Sequence, residues 1–103
     1  TSERGYLVES RRGGGGYIRI TRLNLADGTA LHALVHEQIG CQLSQEAAQG
    51  YIHSLLEQNI IDEREAALMK AAIDRDAIGL ELPVRDVIRS NLLKAMILTI
   101  LRF

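Results

Sequence analysis

Glu9-Ser10-Arg11-Arg12-Gly13-Gly14-Gly15-Gly16-Tyr17-Ile18-Arg19-Ile20 sets two arginines and four consecutive glycines between two strand-like runs. Tyr6-Leu7-Val8-Glu9 precedes the turn and Tyr17-Ile18-Arg19-Ile20-Thr21 follows it, both rich in β-branched and aromatic residues. A glycine-containing loop between such runs predicts a β-hairpin, because its backbone can take φ > 0 at almost any position. Without Cβ atoms the tip is thin. A thin cationic tip can enter a narrow groove lined with phosphates, so nucleic acid is the first partner to consider.

Outward from that loop, charge divides the chain. Residues 1–22 hold Arg4, Arg11, Arg12, Arg19 and Arg22 against Glu3 and Glu9, a net charge of +3. The other 81 residues carry −4, and the 103-residue total is −1. A near-neutral chain does not coat DNA with its whole surface. The pattern is a basic hairpin on an acidic body.

That body reads as helical from Thr29 onward, after a linker at 23–28 with a turn signal at Asp27-Gly28. Leu31, Leu34, Val35 and Ile39 mark one face of a first helix that stops at Gly40. Ser44 suits the N-cap of a second, in which Ala47, Ala48, Tyr51, Ile52, Leu55 and Leu56 repeat every four residues; Asn59 suits its end. Asp62 and Glu65 form a near capping box for a third, buried through Leu68, Met69, Ala72 and Ile73 and broken at Gly79. Pro83 fits the first turn of a fourth. This last helix has two apolar stripes, one through Val84, Val87, Ile88, Leu92, Ala95 and Met96, the other through Leu93, Ile97, Ile100 and Leu101. A helix apolar on two faces is buried on two faces. In a chain this short one face meets another subunit, and Leu93, Met96, Ile97, Ile100 and Leu101 are the expected dimerisation residues. The fold class is therefore mostly α with a small β-hairpin at 1–22, followed by an antiparallel four-helix dimerisation domain at 29–103.

Other chemistries fit less well. A phosphate-binding P-loop needs Gly-x-x-x-x-Gly-Lys-Ser/Thr before a helix, whereas these glycines precede a strand-like run and no lysine follows. A solvated hairpin tip is the bland alternative, since glycine clusters mark turns. His32 and His36 share a helical face, but no tight third ligand accompanies them, so no metal is expected. Cys41 has neither a histidine nor an acid in a recognisable catalytic pattern, and no carboxylate pair suggests acid–base work. The chain is not expected to be an enzyme or to need a cofactor. A single cysteine forms no internal disulfide and points to a reducing, cytoplasmic setting. The most apolar run, Ala95 to Leu101, is too short to span a bilayer, which takes about 20 apolar residues. The chain starts at Thr1, and a hairpin is marginal without a partner. The expectation is a fragment whose N-terminal part is missing.

Thr1-Ser2-Glu3-Arg4-Gly5-Tyr6-Leu7-Val8-Glu9-Ser10-Arg11-Arg12 with the following Gly13–Gly16 and Tyr17-Ile18-Arg19-Ile20 resembles the wing of the CtsR family, repressors of class three stress genes in Gram-positive bacteria. Leu55-Leu56-Glu57, Asp62-Glu63-Arg64-Glu65-Ala66, Asp74-Arg75, Leu82-Pro83-Val84-Arg85-Asp86 and Leu93-Lys94-Ala95-Met96 resemble it too. The resemblance implies a dimeric winged helix-turn-helix repressor of heat-shock genes for Clp chaperones and proteases, here without the helix-turn-helix itself. It implies that Arg12 serves operator binding, with the glycine loop tuned by temperature; Arg11, Gly13, Gly14, Gly15, Gly16 and Tyr17 are expected beside it in that contact, and Arg4 and Arg19 either help with phosphate contacts or are solvated. It also implies that a protein-arginine kinase phosphorylates Arg12 and that Clp ATPase–protease machinery takes the repressor up. The alternative expectation is a dimeric adaptor recognised by that kinase and protease, without DNA binding in this fragment.

Overall fold

The structure, a computed structural model, describes residues 16–22 and 26–103. From Gly28 to Ile100 five helices follow one another: α1 (Gly28–Ile39), α2 (Gln45–Glu57), α3 (Glu63–Ile73), α4 (Arg75–Ile78) and α5 (Val84–Ile100). Asp27 starts α1 as its N-cap, its carboxylate accepting from Thr29 N at 3.0 Å and Ala30 N at 3.2 Å. That pair is thus a helix start rather than a free turn. Gly40 ends α1 at φ 77°, where a side chain would be strained. Ser44 caps α2 by accepting from Ala47 N at 3.1 Å. The Asp62–Glu65 box closes in both directions, at 2.7 Å and 2.9 Å.

The third predicted helix is two. Asp74 leaves the helical region (φ −65°, ψ 144°), and its carboxylate accepts from Asp76 N at 2.9 Å. A short acidic side chain that bonds the backbone ahead of it competes with helix continuation, so α3 stops at Ile73 and α4 starts afresh. Gly79, in the left-handed region, ends α4 rather than α3.

The core draws on every long helix. Val35, Ile39, Ala48, Ile52, Leu55, Met69, Ile73, Leu93 and Ile97 are buried together, and α5 packs against each of the other four helices. Of the two α5 stripes, Leu93 and Ile97 face inward, while Val84, Leu92 and Ala95 are exposed. Ala66 replaces two expected core residues of α3, since Leu68 and Ala72 are exposed. Arg89 continues the inward stripe four residues before Leu93, buried with Nε on Ile73 O at 2.7 Å and Nη1 on Leu43 O at 3.0 Å and Asp86 Oδ1 at 2.5 Å. One cation thereby caps the end of α3 and ties the α1–α2 loop to α5.

Among the described residues there is no strand. Tyr17–Thr21, expected as the second strand of the hairpin, runs as an arm across α2. The first expected strand, Tyr6–Glu9, lies outside the described residues, as do Arg4, Arg11, Arg12, Gly13, Gly14 and Gly15.

Candidate nucleic-acid interface and its anchorage

Of the expected contact residues, the structure places Gly16, Tyr17 and Arg19, all on the arm. Arg19 is exposed, and Tyr17 is half-buried. Ile18 is the arm's anchor, buried at 1% exposure among the helical core residues, with Ile20 packed partly beside it. The alternation is that of a half-buried segment. Ile18 and Ile20 turn inward, and Arg19 between them is exposed.

Two residues of α2 and its C-cap residue receive the arm. Ser54 Oγ accepts from Ile18 N at 3.3 Å and also lies 3.3 Å from Ile18 O. Its hydroxyl additionally donates to Tyr51 O at 2.9 Å. The Gln58 amide uses both ends: Nε2 donates to Ile18 O at 2.6 Å, and Oε1 accepts from Ile20 N at 2.9 Å. Gly50 lies one turn before Ser54, and a Cβ there would meet Gly16 N at 2.5 Å and Gly16 O at 2.6 Å. A Cβ on Gly16 would strike Ala47 O and the ring of Tyr51. Backbone lies on backbone at this crossing, which only a glycine on each side allows.

Tyr51 walls the crossing and is itself held, its hydroxyl donating to Gln38 O at 2.5 Å. Burial pushes its phenol above the ordinary value of 10.0. Sequence patterning missed Gly50, Ser54, Gln58 and Arg89. Gly50 did carry a signal, because a glycine inside an apolar-striped helix costs about 1 kcal/mol against alanine and implies a packing reason.

His32 and His36 stack with ring centroids 4.4 Å apart. Desolvation, then repulsion from His32 and Lys94, holds His36 below its ordinary 6.5. Among the described residues, no group of three or more histidine, cysteine or acidic side chains is placed to hold a metal ion. His53 instead meets Glu57 at 3.2 Å, and Cys41 is an exposed free thiol. No helix among the described residues is long and apolar enough to cross a membrane.

The expected dimerisation residues divide by burial. Leu93 and Ile97 belong to the chain's own core, and Leu101 is half-buried. Met96 and Ile100 line a groove of about 360 Å³ between α3 and α5, together with Leu68, Met69, Ala95 and Thr99. Leu68 is 64% exposed, which leaves a large apolar side chain at the groove's edge.

Two family models match the chain: the CtsR N-terminal HTH domain at residues 1–24 and the CtsR C-terminal dimerization domain at residues 27–98. "Transcriptional regulator CtsR" of Bacillus subtilis (strain 168) is 46% identical over 97 residues, which cover 94% of this chain and 63% of that protein. Its namesake from Staphylococcus aureus (strain USA300) is 43% identical over the same shares. The chain therefore spans somewhat less than two thirds of these curated relatives. Among solved structures, the "Crystal structure of CtsR in complex with a 26bp DNA duplex" matches with a TM-score of 0.64 and 34% identity, covering 82% of this chain and 52% of that one.

Proposed function

The chain belongs to the CtsR family, and on that premise we propose that it is the wing and dimerisation part of a DNA-binding transcriptional repressor of heat-shock genes. The observation that carries this reading is the anchorage of Gly16–Ile20 on α2, which seats the root of a basic, glycine-rich segment on the helical body. In this reading residues 1–22 are a hairpin wing, 23–28 a linker and 29–103 the dimerisation domain. Arg12 enters the minor groove or contacts its flanking phosphates, with Arg4, Arg11 and Arg19 beside it. The narrow groove of A·T-rich DNA suits arginine, because its negative potential is enhanced.

The glycine run makes this contact temperature-sensitive. Four glycines lose much conformational entropy when ordered, and that penalty grows on warming. Phosphorylation of Arg12 by a protein-arginine kinase would set negative charge against DNA phosphates and remove guanidinium donors, so both effects favour release to Clp machinery. The molecule acts in the cytoplasm as a regulator rather than an enzyme.

Dimerisation uses the α3–α5 groove. A second copy covers Leu68, Met96 and Ile100, an apolar surface that water otherwise wets. The DNA complex of the similar solved structure supports the DNA-binding reading, and the dimerization description of the matching family model supports self-association.

Arg12→Ala tests the wing. Operator affinity should fall and the salt slope should decrease by about one, with the helical signal intact. Unchanged binding at every salt concentration would refute the contact. The acidic helical body favours a second reading, an adaptor that docks the kinase and protease without touching DNA. Retention of this chain by the Clp partner but not by duplex DNA would select it.

A further inference from the structure

Ile18 and Ile20 spend backbone hydrogen-bonding groups on side chains of α2. Ile18 gives its N–H to Ser54 and its C=O to Gln58, and Ile20 gives its N–H to the same Gln58 amide. Gly50, Ser54 and Gln58 are four residues apart, so they form one stripe along the helix. The stripe begins at a backbone-on-backbone crossing with Gly16 and ends at the C-cap of α2. It offers side-chain donors and acceptors where a sheet would offer a neighbouring strand. Such bonds can open without unwinding α2, whose own ladder does not use them.

The crossing matters because Gly16 is the last of the four glycines. Holding Gly16 fixes the C-terminal end of the glycine run on the helical body. A run departing from a loose arm would search many positions, and each would reduce the population able to meet a groove. Any ligand that holds the run in one place must in turn favour the seated arm, since coupling between two sites is reciprocal.

We propose that Gly50, Ser54 and Gln58 are positioning residues, a docking track on α2 whose occupation by the arm is coupled to nucleic-acid binding by the glycine run. This rests on the DNA-binding reading above and extends it to residues outside the basic segment, none of which faces a phosphate in that reading.

Amide hydrogen exchange and duplex binding on the whole chain test it together. In Gln58→Ala, exchange at Ile20 and Ile18 should rise about ten-fold, while amides of α3 and α5 keep their protection. Affinity for a fluorescein-labelled mixed-sequence DNA duplex at low salt should weaken about three- to ten-fold. The salt slope should stay unchanged, because no cation is removed. Gln58→Glu keeps an acceptor for Ile20 N–H but loses the donor to Ile18 O, so protection should return at Ile20 alone, with partial recovery of affinity. Ser54→Ala offers a second variant, expected to raise exchange at Ile18 more than at Ile20. Unchanged exchange in Gln58→Ala would overturn the track. Raised exchange with undiminished affinity would overturn the coupling. Failure of the wild-type chain to bind the duplex, with Ile18 and Ile20 protected as expected, would refute the DNA-binding reading and the coupling with it, and leave only the seated arm.

Discussion

Replacing Gly50 with alanine sets two effects of opposite sign against each other. Alanine in a helix interior gains about 1 kcal/mol over glycine, so α2 alone becomes more stable. The new Cβ, however, would lie 2.5 Å from Gly16 N and 2.6 Å from Gly16 O. Ordinary contact needs roughly 3.5 Å, so the arm backbone must retreat by about 1 Å. Forcing a methyl into a packed crossing costs about 1–3 kcal/mol. A displaced arm also strains the bonds from Ser54 and Gln58 to Ile18 and Ile20, each worth about 0.5–1.5 kcal/mol. With two such bonds lost, the net destabilisation is roughly 3 kcal/mol. For a domain of this size 1 kcal/mol moves Tm by about 4–8 °C, so thermal unfolding followed by circular dichroism should shift down by more than about 10 °C. If the arm were not seated on Gly50, only the propensity gain would remain, and Tm would rise by about 4–8 °C. An upward shift would refute the crossing.

Other outcomes follow from the rest of the molecule. Arg89→Met should lower the urea midpoint by the equivalent of about 3–5 kcal/mol at unchanged m, because Leu43 O, Ile73 O and the Asp86 carboxylate lose a buried cation. A midpoint close to wild type would show that water satisfies those groups. Leu68→Asp should leave the fold intact, because its side chain is exposed, yet shift sedimentation at micromolar concentration towards monomer. A dimer that survives it would move the interface elsewhere. His36 titrates below 6.5 in the folded chain, so between that lowered value and 6.5 the unfolded state binds more protons. Its contribution to stability is therefore complete above pH 6.5 and is lost as pH falls below it. His32→Asn removes one repulsive neighbour, so NMR titration of the His36 ring protons should move up towards 6.5, and an unmoved midpoint would leave desolvation and Lys94 as the causes.

Helix starts and apolar stripes were legible in the chain because they are local. Ser44 and the Asp62–Glu65 box cap what they were expected to cap, and Val35, Ile52, Leu55 and Ile73 are buried on the expected faces. Each such feature needs only neighbours within a turn or two. The break at Asp74 was less legible, since an aspartate inside a helical pattern reads as a solvated charge until its carboxylate is seen to bond ahead. Leu68 misled for a related reason: periodicity marks an apolar face without saying which of two faces is covered.

The order of the residues settled the family, the helical body and the basic, glycine-rich segment, because these are written in identity, spacing and charge. Packing settled which α5 stripe turns inward, since only neighbouring helices decide which of two apolar faces loses its water. It likewise paired Gly50 with Gly16 and brought Ser54 and Gln58 to Ile18, across separations of 34 to 40 residues. Contacts over such distances leave no period or motif in the chain. They exist only where folding has laid one backbone against another.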